Sequence, residues 1–141
     1  MLVRTVESIA VRGEPLWLLL GRLALAALYV PSGFRKLMDP TRMADMLAGK
    51  GFPAPMAWAI LAGAVEFMGG MAIAVGYVTR LAAFVMIVFT VIAMSLAHIY
   101  WDLDGAARYA QLIQFYKDLA IIGGFLFVFV RGAGPLSIDR R

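Results

Sequence analysis

Cysteine is absent from this chain of 141 residues, and histidine occurs once, as His98. Without cysteine there is no disulfide, no thiol redox chemistry and no Cys-ligated metal, and one histidine excludes bis-histidine haem ligation within one chain. Charged residues are also scarce at 16%, whereas 62% of the residues are hydrophobic. Soluble domains carry about a quarter charged and about half apolar residues. The composition therefore predicts an integral membrane protein of one domain.

Basic residues outnumber acidic ones, which gives a formal net charge of +4. The charges are spread over positions that flank apolar segments and do not form one basic patch. This distribution favours contact with anionic lipid headgroups over nucleic acid. The lipid bilayer is thus the expected partner.

Four apolar stretches are long enough to cross a bilayer. They are Leu16–Leu37, Pro55–Tyr77, Leu81–Trp101 and Gln111–Val130. With three short connections they predict an all-α fold, an antiparallel four-helix membrane bundle over residues 15–139. Arg22 interrupts the first apolar run, which continues beyond Ala24-Leu25-Ala26, so we expect an uncleaved first span and no signal peptide.

The remaining segments are short. Residues 1–14 form an N-terminal surface segment, for which a short helix on the membrane and disorder both remain open. Asp39 and Pro40 fit the N-cap and first position of a helix, and Asp39–Lys50 is predicted as a short interfacial helix after the first span. Residues 140–141 are a C-terminal tail.

An even number of spans puts both termini on one side of a cell membrane. Basic residues on that side exceed those on the other by six to five, which favours cytoplasmic termini. The two sets are Arg4, Arg12, Arg80, Arg131, Arg140 and Arg141, against Arg35, Lys36, Arg42, Lys50 and Arg108.

The second span carries one acid, Glu66, at its midpoint. Small residues share its helical face, at Ala59, Gly63, Gly70 and Ala74. Such a face allows a neighbouring helix to approach closely. Six strongly apolar residues of this span favour insertion by roughly 3 kcal/mol, which one central acid at about +3 kcal/mol cancels. Glu66 must therefore face the bundle interior and find a partner, for which we predict Arg22 or Lys117.

Other polar residues lie near the ends of the spans. Arg22, Tyr29, Gly33 and Lys36 share one face of the first span. Lys36, His98, Gln114 and Lys117 are predicted to line one polar cavity, open to the outer face, that binds a small organic ligand. Asp118 shares a face with Gln114, and Tyr29 and Trp101 are predicted as interface aromatic residues. His98, Asp102 and Asp104 could be imagined around a metal, but an interfacial hydrogen-bonding histidine is the commoner outcome, so no metal site is predicted.

Seven short motifs occur in order between Ser32 and Asp139. They are Ser32-Gly33-x-x-Lys36-Leu37, Gly51-Phe52-Pro53-x-Pro55, Glu66-x-x-Gly69-Gly70, Gly76-x-x-Thr79-Arg80, His98-x-x-Trp101, Gln114-Phe115-x-Lys117-Asp118-Leu119-Ala120 and Gly132-x-Gly134-x-x-Ser137-Ile138-Asp139. With these motifs the chain resembles the DoxX family of small four-span membrane proteins. Asp118 is a departure, because family members often carry Asn there.

The resemblance implies a membrane subunit or partner of a redox system. The family is named after a subunit of an archaeal quinone-linked sulfur oxidoreductase, and some relatives are linked to oxidative-stress partners. Lys117 or His98 could donate a hydrogen bond to a quinone carbonyl. Nothing in the chain suggests a flavin or haem site, so electrons would come from a partner protein. Two alternatives remain open: a non-catalytic assembly protein, and a proton-coupled transporter of small solutes that uses Glu66.

Overall fold

The computed structural model describes residues 1–140 and contains six helices and no strand over that range. The helices are α1 (Leu2–Arg12), α2 (Glu14–Met38), α3 (Thr41–Gly49), α4 (Pro55–Val75), α5 (Thr79–Ala97) and α6 (Gly105–Arg131). The predicted all-α class is confirmed. Arg141 of the predicted tail lies outside the described residues.

The four long helices α2, α4, α5 and α6 are apolar enough to cross a membrane. They correspond to the four predicted spans, with differences at the ends. Helix α5 ends before His98, whereas α6 begins six residues before Gln111. At 27 residues, α6 is about 40 Å long, so its polar first turns can stay helical outside a hydrocarbon core about 30 Å thick.

The short helices α1 and α3 flank the first span. Of the two possibilities for residues 1–14, the structure has the helix, and no residue of α1 is buried. Helix α3 begins at Thr41, one residue later than predicted, and Pro40 is its N-cap residue. The Asp39 carboxylate accepts hydrogen bonds from the Thr41 hydroxyl and from its backbone N–H, at 3.1 Å for the latter, and these bonds hold the pKa of Asp39 below its usual value. Helix α3 packs on α4 through Ala44 and Leu47.

The long helices pack around one small core. Helix α2 packs along α4, α5 packs against both α4 and α6, and α6 also touches α2. The core residues are Tyr29, Ile73, Ala82, Ala83, Met86 and Phe125. We call the side with the starts of α2 and α5 and the ends of α4 and α6 the terminal end, and the opposite side the distal end.

Glycines set the distance between α2 and α4. A Cβ atom on Gly33 of α2 would lie 2.8 Å from the carbonyl oxygen of Gly63 and 2.9 Å from the Cβ of Glu66. A Cβ atom on Gly70 of α4 would lie 2.9 Å from the Val30 side chain. The small-residue face predicted for α4 is thus turned toward α2, and Gly33 supplies the matching small residue.

Substitution of Gly33 tests this contact. We expect Gly33→Ala to lower the free energy of unfolding by about 1–3 kcal/mol, because the added methyl group overpacks the interface. Gly21→Ala is the matched control on α2, since a Cβ atom there meets nothing within 4 Å. It should be neutral or stabilise by up to about 1 kcal/mol through helix propensity. Equal unfolding transitions in micelles for both variants, measured by circular dichroism, would contradict the close approach.

Candidate functional site

Glu66 lies at the middle of α4, faces α2 and is 5% exposed. The Lys36 ammonium donates a hydrogen bond to Glu66 Oε1 at 2.6 Å, and the Lys36 side chain is 29% exposed. The inference that Glu66 is buried beside a cation is therefore confirmed. The predicted partners, Arg22 and Lys117, are wrong. Glu66 packs against Gly33, which Lys36 follows by one turn, whereas Arg22 lies about 16 Å away along the axis of α2.

The second carboxylate oxygen of this pair has no donor. Glu66 Oε2 is buried and makes no hydrogen bond with any group of residues 1–140. A buried carboxylate oxygen ordinarily accepts at least one hydrogen bond. In this ion pair, Oε1 is therefore bonded to Lys36, whereas Oε2 can still accept a hydrogen bond from a water molecule or another donor.

His98 forms a second polar group at the distal end. Its Nδ1 atom lies 2.9 Å from Gln111 Oε1, and its Nε2 atom lies 3.6 Å from Asp118 Oδ2. Because an amide oxygen only accepts, Nδ1 carries the proton in the first contact. One imidazole, one amide and one carboxylate therefore stand together, on the segment after α5 and the first half of α6. We call these three residues the His98 cluster.

Aromatic rings come from the same two segments of the chain. The Tyr100 ring lies 5.4 Å from that of Trp101 and 5.3 Å from that of Phe115, between ring centroids. Both pairs meet edge to face, an arrangement that stabilises aromatic contacts. The same two chain segments thus provide both the His98 cluster and these aromatic rings.

The predicted cavity of four residues is not formed by direct contacts. Lys117 and Gln114 are exposed, and Lys117 donates a hydrogen bond to Gln114 Oε1 at 3.0 Å. Lys36 is engaged by Glu66, and His98 by Gln111 and Asp118. Within the described part of the chain, no hydrogen bond or ion pair joins these three groups. Gln114 lies about 60° around α6 from Gln111, which is enough to point it away from His98.

Tyr29 was predicted at the membrane interface, and this is wrong. Its side chain is 5% exposed, and its ring packs 5.5 Å from the Phe125 ring in the core. The Thr90 hydroxyl donates to the carbonyl of Met86 at 2.7 Å, so the Tyr29 hydroxyl, 2.6 Å from Thr90 Oγ1, is the donor between the two. A buried tyrosine needs such a partner. Trp101 is 55% exposed, in keeping with a surface position.

Arg22 is 1% exposed and binds backbone carbonyls in place of a carboxylate. Its guanidinium donates to Ile73 O at 3.2 Å, to Ala74 O at 3.0 Å and to Leu136 O. The last carbonyls of a helix have no partner within it, and a cation is favourable at that end. Arg22 therefore caps the C-terminus of α4 and ties the C-terminal segment to it.

Asp139 was not among the predicted site residues, although it ends one of the seven motifs. Its carboxylate accepts hydrogen bonds from the backbone N–H of Val78 at 3.0 Å and from the N–H and hydroxyl of Thr79 at 2.8 Å each. It thereby caps the N-terminus of α5. The backbone N–H groups of Ile138 and Asp139 also donate to Val75 O and Gly76 O. The motif pieces around Gly76 and Asp139 are thus in contact.

The Lys36–Glu66 pair generates a test by double-mutant cycle. We expect Lys36→Met to lower the free energy of unfolding by about 3 kcal/mol, the low end for a broken buried pair because Lys36 is partly exposed. Adding Glu66→Gln should recover most of that loss, since no charge is then left buried. Lys117→Met, at an exposed lysine, should change little. If Lys36→Met were as mild as Lys117→Met, the pair would carry no stability.

Comparison with known proteins identifies a family and several relatives. The DoxX family model matches residues 17–99. The chain is 35% identical over 128 residues to the inner membrane protein YphA of Escherichia coli and 30% identical over 127 residues to the inner membrane protein YqjF of the same organism. These alignments cover 91% of both chains for YphA, and 90% of this chain and 92% of the relative for YqjF. A membrane protein of Mycobacterium tuberculosis, Rv3486, is 28% identical over 134 residues, which cover 85% of this chain and 77% of the relative. No solved structure matches the chain.

The family match, the two inner membrane relatives and the four apolar helices lead to one conclusion: the chain belongs to the DoxX family of integral membrane proteins.

Proposed function

We propose that the protein is a membrane component of a quinone-linked redox system and that the His98 cluster binds the quinone head group. The observation that carries the proposal is the meeting of His98, Gln111 and Asp118. Quinone carbonyls accept hydrogen bonds, and two donors are of the required kind: the amide N–H₂ of Gln111, whose oxygen binds His98, and Nε2–H of a His98 ring with both nitrogens protonated, since Nε2 at 3.6 Å from Asp118 Oδ2 makes no hydrogen bond there. The DoxX resemblance, with its link to quinone chemistry, points in the same direction.

The residues of this chain determine which part of quinone reduction it can perform. Reduction of a quinone to the quinol takes two electrons and two protons. A partner oxidoreductase supplies the electrons, and His98 and Asp118 can pass protons to the head group, since both are titratable and adjacent. Tyr100 and Phe115 offer planar surfaces for the ring. In this proposal the protein sits in the cell membrane with both termini in the cytoplasm.

A structural role is the second candidate, and one observation favours it. Arg22 and Lys36 both find partners inside the bundle, so these charges act first on helix packing. Such a protein would assemble with others in the membrane and bind no quinone. Proton-coupled transport ranks third, because the Lys36 ion pair would have to open for Glu66 to exchange a proton in every cycle.

Quinone binding separates the first two candidates. We expect decyl-ubiquinone to bind the purified protein in nanodiscs, measured by calorimetry, and His98→Ala to weaken binding about tenfold or more through loss of one hydrogen bond. Lys117→Met is the matched control, because Lys117 lies outside the cluster, and it should bind as the unmodified protein does. No binding by the unmodified protein, or equal binding by His98→Ala, would reject the quinone proposal and leave the structural role ahead.

A further inference from the structure

Helix α1 is amphipathic and has almost no partner in the fold. Its apolar face lies opposite its charged and polar face. The apolar face consists of Leu2, Val3, Val6, Ile9 and Ala10, and the polar face includes Arg4, Ser8 and Arg12. Val6 and Ile9 are 56% and 55% exposed, and no residue of the helix is buried. In water such a face costs free energy, so contact with an apolar environment would stabilise it.

The apolar face borders a groove at the start of the first span. The groove holds about 520 Å³ and is lined by Val6, Ile9 and Ala10 of α1 and by Trp17 and Leu18 of α2. Glu14 and Arg131, which form an ion pair between α2 and α6, also line it. A mostly apolar groove that also carries charged side chains suits a lipid molecule, which has a hydrocarbon chain and a charged headgroup.

The position of the groove connects it to the lipid-facing surface. Leu16, Trp17 and Leu20 at the start of α2 are half exposed, as expected of side chains that face lipid. The Trp17 indole N–H donates to Ile9 O at 3.3 Å, which fixes α1 against this surface. Tryptophan is enriched at the level of the lipid headgroups. The groove is therefore continuous with the bilayer side of α2, at the depth where headgroups begin.

The charge of this end of the molecule selects the lipid. Residues 1–14, 76–80 and 131–140 carry five arginines against three carboxylates. Arg4 and Arg12 lie on the polar face of α1, away from the groove, where they can meet headgroup phosphates beside it. This excess of positive charge favours anionic over zwitterionic phospholipid.

We propose that α1 is a lipid-binding helix that lies in the membrane interface, with its apolar face and the adjoining groove filled by acyl chains of anionic phospholipid. This role is independent of any quinone chemistry at the distal end. It gives the N-terminal segment a function that neither the bundle nor the His98 cluster requires.

Spin labels test the orientation of α1, since the chain has no cysteine of its own. Val6→Cys and Ser8→Cys place labels two residues apart, on opposite sides of the helix. In nanodiscs of the full-length protein, we expect the label at position 6 to be reached by oxygen and shielded from an aqueous nickel chelate, and the label at position 8 to show the reverse. Equal access of the chelate to both positions would overturn the proposal. Dipolar coupling between labels at position 6 of two copies would overturn it too, by showing a protein occupant.

Lipid selectivity is tested with the unlabelled protein. We expect spin-labelled phosphatidylglycerol to show a larger motionally restricted fraction than spin-labelled phosphatidylcholine beside the protein. The difference should be lost in the double variant Arg4→Gln/Arg12→Gln and kept in the control Arg42→Gln, which removes an exposed charge from α3 at the distal end. No preference in the unmodified protein, or a preference unchanged by the double variant, would reject the role of anionic lipid.

Discussion

One buried arginine holds the terminal end of this bundle together. The Arg22 guanidinium extends from α2 to the last carbonyls of α4 and to Leu136 in the C-terminal segment. That segment then places Asp139 on the N-terminus of α5. Since α4 and α5 are joined by a turn of three residues, carbonyls and N–H groups without helical partners are concentrated there. A cation serves the carbonyls and a carboxylate serves the N–H groups, so both helix ends are capped by charges of the favourable sign.

The centre and the distal end depend on a different constraint, the closeness of α2 and α4. Gly33 lets the backbones approach, and the same approach brings Lys36 to Glu66. An acid that would make α4 a poor membrane segment alone thus becomes acceptable within the pair. The helices α5 and α6 pack less closely on α2. The His98 cluster lies where the segment after α5 meets the first half of α6. Helix packing and polar contacts are therefore coupled: the buried charges of Arg22 and Glu66 are each stabilised by a neighbouring helix or chain segment.

Much of this fold follows from residue patterns, because spanning length and small-residue faces are local properties. The four spans, the burial of Glu66 and the α4 face were predictable in that way. The hydrogen-bond and ion-pair partners of the buried polar residues could not be predicted in that way. The prediction that Arg22 pairs with Glu66 assumed that buried opposite charges meet. In two antiparallel helices, however, each residue faces only the part of the other helix at the same depth. Arg22 lies at the depth of the C-terminal end of α4, whereas Glu66 lies at its middle. Tyr29 was assigned to the interface by residue type, although Thr90, distant in sequence, gives its hydroxyl a buried acceptor. Asp139 lies 60 residues from Thr79, so its capping role depends on tertiary structure alone.

The central claim, that Arg22 secures the C-terminal segment and through it the α4–α5 turn, is tested most directly by hydrogen–deuterium exchange in nanodiscs. The comparison is between Arg22→Met and Arg35→Met, which removes an exposed arginine from the same helix. We predict faster exchange in Arg22→Met for the amides of 78–79, which donate to Asp139, and for those of 138–139, which donate to Val75 O and Gly76 O, with unchanged exchange in α3 at the distal end. Exchange at 78–79 and 138–139 that is the same in both variants would contradict the account.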